Sequence, residues 1–377
     1  MVAGDAADDR LGAQLIACLQ RQRPTLRFVG MAGPRMQAQG GESYRAIGDL
    51  VMRDAVTEQG KAGALQILRA RVTAGILEAR PKLFVGVGTP ELSLWIARRL
   101  RSAGVPCVQL AGPAVWAWRG WRVRRFAAIL NHALARFPFE ATTYERAGIP
   151  ATFVGHPLAD EIPLDVDKAA ARTQLRLPHG KRVIALMPGE RSAEIRATGE
   201  TLVKAVHRIY SEVTDVHFVL PVTSRRDREH FESALRLHRS EDSPLTLLFG
   251  HAHDALAAAD LALIASETAS LEAMLFKTPM ILVQPSATVA QRWSQPLMRR
   301  PPVGLPNRLA GEGIVPELPR KQATPWALAA ALMALMRDTQ AQSRQVERFK
   351  DLHLMLRQDS VAKASTAVLA LLEHATV

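Results

Sequence analysis

Short, nearly continuous apolar runs punctuate this chain at 28–31, 83–87, 107–110, 129–133 and 152–154. They recur at 183–187, 216–220, 245–249, 261–265 and 280–283. Ala- and Leu-rich helical patterns, such as 90–101, 198–212 and 326–337, separate most of them. A strand that is apolar on both faces needs cover on both faces, and an intervening helix supplies it. The pattern therefore predicts parallel sheets sandwiched between helices, an α/β fold. The two series part near 157–168, where Pro157 and Pro163 stand among scattered acids. At 377 residues the chain is long enough for two domains. Two doubly wound, Rossmann-like domains facing across a cleft are expected, residues 1–162 and 163–345, followed by a helical segment 346–377. Ligands of such sheets bind beyond the carboxyl ends of the strands. Only three residues precede Gly4, so the first strand is expected to be clipped.

Charge narrows the partners. Lys and Arg exceed Asp and Glu by 48 to 36, giving +12 and a pI near 10.3. Such a surface attracts phosphorylated ligands, acidic headgroups or nucleic acid. No recognised nucleic-acid module accompanies the charge, so nucleic acid is not expected as a partner. Cys18 and Cys107 have no metal spacing and no disulfide framework, which suits a reducing compartment. No run approaches the ~18 apolar residues of a spanning helix, and no signal-peptide pattern opens the chain. A soluble or peripheral cytoplasmic protein is expected.

Several loops have residues suited to anionic or sugar ligands. Trp116, Trp118 and Trp121 lie within six residues, threaded with Arg119, Arg122, Arg124 and Arg125. Trp and Arg together suit a surface that is apolar at one end and anionic at the other; a packed turn with a solvated basic face is the simpler alternative. After the run 183–187 come Pro188, Gly189, Glu190 and Arg191, then Glu194. Gly189 would admit close backbone approach, the next helix would present N–H groups, and Arg191 could fork onto a diphosphate. After 261–265, Ser266 reads as an N-cap ahead of Glu267, Thr268 and Glu272. Taken one at a time, a plain turn and a plain cap are the simpler readings of these two loops. Asn307 could bond a sugar, phosphate or base, or merely close an Asx turn. His156 is either a structural partner or a catalyst. No metal spacing, P-loop or G-x-S-x-G elbow is present.

Taken together these strings resemble the lipid-A-disaccharide synthase family, inverting glycosyltransferases of the GT-B type. The matching segments include Gly30 with Ala32-Gly33-Pro34-Arg35-Met36, Val115-Trp116-Ala117-Trp118-Arg119, Phe137-Pro138-Phe139-Glu140, Val154-Gly155-His156-Pro157-Leu158-Ala159-Asp160, Pro188-Gly189 with Arg191 and Glu194, and Leu305-Pro306-Asn307. The resemblance implies that UDP-2,3-diacylglucosamine is joined to 2,3-diacylglucosamine 1-phosphate with release of UDP, without metal or other cofactor. It implies a protein peripheral on the cytoplasmic side of the inner membrane. It places Gly189, Arg191, Glu194, Ser266, Thr268, Glu272 and Asn307 on the UDP-sugar side. The first domain, with Trp116, Trp118, Arg119 and Arg122, then receives the acylated acceptor and the anionic membrane surface.

The departures from the family gather at the chemistry. Gly88 stands where the family has the acid that acts as its general base, so Asp5 or Glu91 is expected to take the proton. Asp8 replaces a glycine of the first glycine-rich loop, adding a charge where the backbone should be bare. Glu190 and Glu267 add carboxylates near the expected phosphates, and Arg320 replaces a Gln. The segment 53–61 is polar where the family has a small apolar helix, leaving docking to charge and to the Trp-rich stretch. Two further readings follow: an impaired paralogue that binds UDP-sugar, lipid or a protein partner at the membrane, and a transferase with a less apolar acceptor. If the rest of the site is intact, Gly88→Asp is expected to raise turnover.

Overall fold

The computed structural model describes residues 1–46, 62–113, 120–189, 192–238, 243–284 and 304–374. They form two compact units: residues 1–160 with the C-terminal stretch from Leu356, and the described residues from Glu161 to Met355.

The first unit is built on a parallel sheet of seven strands among the described residues. They are β1 (Val2–Ala3), β2 (Phe28–Ala32), β3 (Gly41–Ala46), β4 (Phe84–Val87), β5 (Cys107–Leu110), β6 (His132–Ala135) and β7 (Ala151–Phe153), in the order β3-β2-β1-β4-β5-β6-β7. The two-residue β1 pairs on both sides, Val2 with Met31 of β2 and with Gly86 of β4. Successive side chains feed opposite faces. Val85 and Val87 pack beneath Leu15, Ile16 and Leu19 of the first helix, Ala6–Gln22, while Phe84 packs with Val72, Ile76, Ile96 and Leu100. Helices thus cover both faces, as the apolar runs require.

The second unit repeats the plan with β8 (Arg182–Met187), β9 (Val216–Val222), β10 (Leu245–Phe249), β11 (Leu261–Ile264), β12 (Met280–Val283) and β13 (Glu317–Leu318). The order is β10-β9-β8-β11-β12-β13, again parallel. Each sheet reverses its strand order once, at β1/β4 and at β8/β11. Those reversals are the topological switch points of a doubly wound fold, where ligands bind.

Four elements differ from the sequence expectation. Strands β3 and β13 carry no apolar run: β3 is polar, and β13 has two residues. The run 129–133 yields a strand only from His132, because Ile129 and Leu130 close a turn onto the Phe126 carbonyl. The C-terminal helical pattern is two helices, Thr339–Leu356 and Ser360–His374. No helix among the described residues is long and apolar enough to cross a membrane.

Candidate active site

In the second unit, two of the loops singled out in the sequence flank its switch point. The ladder between β8 and β11 continues past both strands, Ala265 N–H donating to Met187 O at 2.8 Å, so their loops emerge side by side. Gly189 has φ +141°, a conformation open essentially to glycine alone, and a Cβ there would come within 2.8 Å of the Glu194 Cβ. Thr198 ties the following helix, Ser192–Glu212, to this turn by donating from Oγ1 to Pro188 O at 2.7 Å. Arg191 and Glu190 lie outside the described residues. Ser266 is the N-cap of the helix Glu267–Leu275, its Oγ accepting from Ala269 N at 3.1 Å. Glu267 and Thr268 are exposed in its first turn, where water screens the added Glu267 charge. Glu272, a turn further on, is paired with His253 Nε2 at 3.3 Å. Two helix starts therefore follow adjacent strands at the same end of the sheet, each with first-turn N–H groups that have no partner within the helix, donors of the kind that suit an anion.

Asn307 has a different part. It is buried, and its amide is fully engaged with the protein. Nδ2 donates to Val315 O (2.8 Å) and Glu317 Oε1 (2.7 Å), while Oδ1 accepts from Ile314 N and Val315 N, both at 2.8 Å. Glu317 Oε1 also accepts from Gly304 N at 2.7 Å. Asn307 therefore fastens the stretch 304–317 and gives its hydrogen bonds to the fold. Arg320 reaches back to the Ala197 carbonyl at 3.2 Å and so braces the Ser192–Glu212 helix.

In the first unit, the β1 and β4 loops meet at the switch point. Register pairs Ala3 with Val87, so Gly4 and Gly88 come next on adjacent strands. Asp5, the N-cap of Ala6–Gln22, uses its Oδ1 to accept from Ala7 N (3.0 Å) and Asp8 N (2.9 Å). Asp9 is 3% exposed, and its two oxygens accept from Arg35 N (2.9 Å) and Met36 N (3.0 Å). Asp8 is half-buried; its Oδ2 accepts from Gly4 N at 3.3 Å and from the Thr89 hydroxyl. The backbone at Gly88 and Thr89 is left-handed, with φ +53° and +31°, the latter a strained setting for a β-branched residue. A Cβ built at Gly88 would overlap the Asp8 carboxylate. Beneath, buried Gln109 donates from Nε2 to the Gly88 carbonyl at 3.0 Å, and the single hydroxyl proton of buried Ser93 is shared between Gln109 Oε1 (2.8 Å) and that carbonyl (3.2 Å). Glu91 lies in the helix Pro90–Ser102 with its side chain outside the described residues.

The Val154–Asp160 string is structural in effect. His156 is buried, stacked on Phe137 with ring centres 5.3 Å apart, and its Nδ1 accepts from Leu158 N at 3.3 Å. Burial, assisted by the Arg136 charge, holds its pKa well below the ordinary histidine value, so the ring is neutral. Glu140 caps its own helix by accepting from Arg136 N (2.8 Å) and Phe137 N (3.2 Å). Burial nevertheless pushes its pKa up to about 7, against the pull of Arg136 and both N–H groups. Trp116, Trp118 and Arg119 lie outside the described residues, as does the polar segment 53–61; Arg122 lies in the helix Gly120–Ala127 with its side chain likewise undescribed. Among the described residues, no group of three or more His, Cys, Asp or Glu side chains is placed to hold a metal ion.

A family model described as lipid-A-disaccharide synthetase matches residues 1–371. The chain is 41% identical over 378 residues to a lipid-A-disaccharide synthase of Aromatoleum aromaticum, covering 99% of this chain and 96% of that protein. It is 43% identical over 374 residues to one of Pseudomonas aeruginosa, covering 99% and 98%. Among solved structures, an S. aureus MnaA–UDP co-structure matches with TM-score 0.65 at 13% identity, covering 98% of this chain and 93% of that one. The kitacinnamycin glycotransferase matches with TM-score 0.65 at 17% identity, covering 99% and 98%. Likeness at such identity shows the fold, here two parallel-sheet Rossmann-like units of the GT-B class; the whole-length matches at higher identity show the family. The chain belongs to the lipid-A-disaccharide synthase family.

Proposed function

We propose that this protein transfers the sugar of UDP-2,3-diacylglucosamine to 2,3-diacylglucosamine 1-phosphate, forming lipid A disaccharide 1-phosphate and releasing UDP. The observation that carries this reading is agreement with named lipid-A-disaccharide synthases over 99% of the chain at 41–43% identity. The loops of the second unit support it. The first-turn N–H groups of Ser192–Glu212 and Glu267–Leu275 suit a diphosphate, with Arg191 forking onto it and Glu194, Thr268 and Glu272 on the nucleoside-sugar side. Charge on the departing UDP then develops against preorganised donors, where stabilisation is most effective. The acceptor hydroxyl attacks the anomeric carbon, the bond from that carbon to the diphosphate oxygen breaks with its electron pair leaving on UDP, and a base takes the hydroxyl proton.

The first unit receives the acylated acceptor, with Trp116, Trp118, Arg119 and Arg122 toward an anionic membrane. A net charge of +12 favours a peripheral position on the cytoplasmic face of the inner membrane, each basic group near that surface contributing about 1 kcal/mol. Gly88 favours the second reading, a paralogue that binds UDP-sugar without turnover. Release of UDP from UDP-2,3-diacylglucosamine in detergent micelles, with and without 2,3-diacylglucosamine 1-phosphate, separates the two. Acceptor-dependent release is the expected result; UDP binding without release leaves the binding-only paralogue.

A further inference from the structure

We propose that His253 is a positioning residue for the nucleotide, holding Glu272 so that its carboxylate receives the ribose hydroxyls of UDP. The inference rests on the UDP-sugar transfer proposed above and names what orders one side of that site.

Every residue concerned belongs to the second unit. Strand β10 ends at Phe249, and Gly250 and His251 then turn the chain with left-handed backbone, φ +76° and +57°. His251 Nδ1 meets Asp254 Oδ2 at 2.7 Å, which fixes the start of the helix Ala252–Ala258. That helix packs beside Glu267–Leu275. His253 thereby meets two positions four residues apart on its neighbour. Its ring centre is 5.4 Å from that of buried Phe276, and its Nε2 is 3.3 Å from Glu272 Oε1.

The Glu272 side chain is only 16% exposed. Among the described residues its carboxylate has His253 as its partner, and the second oxygen has none. Exposed Thr268 lies four residues earlier on the same helix face, and Ser266 caps the helix start. That face therefore runs from first-turn N–H groups, which suit a phosphate, to a carboxylate, which repels one. An ionised carboxylate only accepts, so the group that fits it is a hydroxyl donor. Glu272 stands five residues beyond Glu267, about 7–8 Å along the helix axis. That span is comparable to the separation of a nucleotide's diphosphate from its ribose hydroxyls.

His253 adds order. A glutamate loses rotamer freedom when a ligand fixes it, and a neighbour that fixes it beforehand removes that cost from binding. Nε2–H donates to Oε1, and the Phe276 contact keeps the ring from turning away. With Oε1 anchored, the other oxygen is left to accept from the ribose.

The test is calorimetric titration of the full-length protein with UDP and with 2′,3′-dideoxy-UDP, beside His253→Ala, His253→Gln, Glu272→Gln and His253→Ala/Glu272→Gln. The unaltered protein should prefer UDP by about 10- to 100-fold, the usual weight of hydrogen bonds to a charged acceptor. His253→Ala should weaken UDP by about fivefold or more and leave the dideoxy analogue within about twofold, so the preference shrinks. His253→Gln keeps an N–H donor at similar reach and should restore most of the preference. In the Glu272→Gln background, loss of His253 should cost less than about twofold, because the carboxylate that it orders is gone. Four results would overturn the assignment: no preference for UDP in the unaltered protein, UDP affinity unchanged in His253→Ala, equal weakening of both nucleotides by that variant, or additive losses in the double variant. Equal weakening would mark His253 as merely structural. An unaltered protein that binds neither nucleotide would overturn the UDP-sugar reading and this inference with it, an outcome distinct from a UDP-binding protein indifferent to His253.

Discussion

Removal of the Asp160 carboxylate should unlatch the C-terminal helix of the first unit. Its Oδ1 accepts from Gln358 N (3.0 Å) and Asp359 N (2.9 Å), and its Oδ2 from Ser360 N (2.7 Å). These donors open the helix Ser360–His374, where backbone N–H groups have no partner within the helix, so Asp160 caps it from 200 residues away in sequence. Asp359 is exposed and Gln358 half-exposed, so water replaces the carboxylate there in a variant, whereas Ser360 is 2% exposed. Loss of a cap costs about 1 kcal/mol and an orphaned buried N–H about 1–3 kcal/mol. Asp160→Ala should therefore destabilise the first unit by about 2–4 kcal/mol. Asp160→Asn, which keeps one accepting oxygen, should cost roughly half as much. Ala364 and Val368 of the capped helix pack in one core with Leu15, Ile16 and Leu19 of Ala6–Gln22, the helix that opens at the β1/β4 switch point. Loosening should thus lower acceptor-dependent UDP release while UDP affinity stays within about twofold. Native-state hydrogen exchange over 356–374, with guanidinium unfolding, reads the effect directly. Unchanged protection there, or a loss below ~0.5 kcal/mol, the ordinary scatter of surface substitutions, would refute the latch.

Glu140→Gln should flatten the pH dependence of stability. Because burial raises the folded pKa from 4.5 to about 7, the contribution of Glu140 is fully present below 4.5 and lost as pH rises through 7. The unaltered protein should lose about 3 kcal/mol across that window that the variant does not, measured as denaturation midpoints from pH 5 to 8. Asn307→Ala should cost about 2–4 kcal/mol in the second unit by stranding Glu317 and the 314–315 backbone; lost UDP affinity with unchanged unfolding would instead mean that the amide touches ligand. Gly189→Ala should weaken UDP binding by about tenfold or more through strain of ~1–3 kcal/mol, and calorimetric titration with UDP at unchanged affinity would remove that turn from the site.

The sheets were legible where burial writes itself as an apolar run. Phe84–Val87, Cys107–Leu110 and Leu261–Ile264 are buried throughout, so every side chain is apolar or glycine apart from Gln109. Strand β3 was not legible, because among the described residues it pairs with β2 alone and needs no apolar continuity. Ser266 was readable as a cap from its place between a strand and a helix, since capping is a local matter. Asn307 was not: its four hydrogen bonds include one to Glu317, ten residues on in a separate strand, and nothing local distinguishes a ligand-facing amide from one that fastens a loop.

Positions 8 and 88 show the same limit in its strongest form. Read one at a time, Gly88 is a lost base and Asp8 an intruding charge, and both suggest decay. Sheet register joins them. Ala3 pairs with Val87, so the loops of β1 and β4 abut, and the first turn of Ala6–Gln22 overhangs Gly88. An acid on either loop reaches one point in space, but acids on both would crowd it, and a residue larger than glycine at 88 conflicts with Asp8. A side chain at 88 and the Asp8 carboxylate therefore exclude one another, and only the pairing of β1 with β4 makes that relation visible.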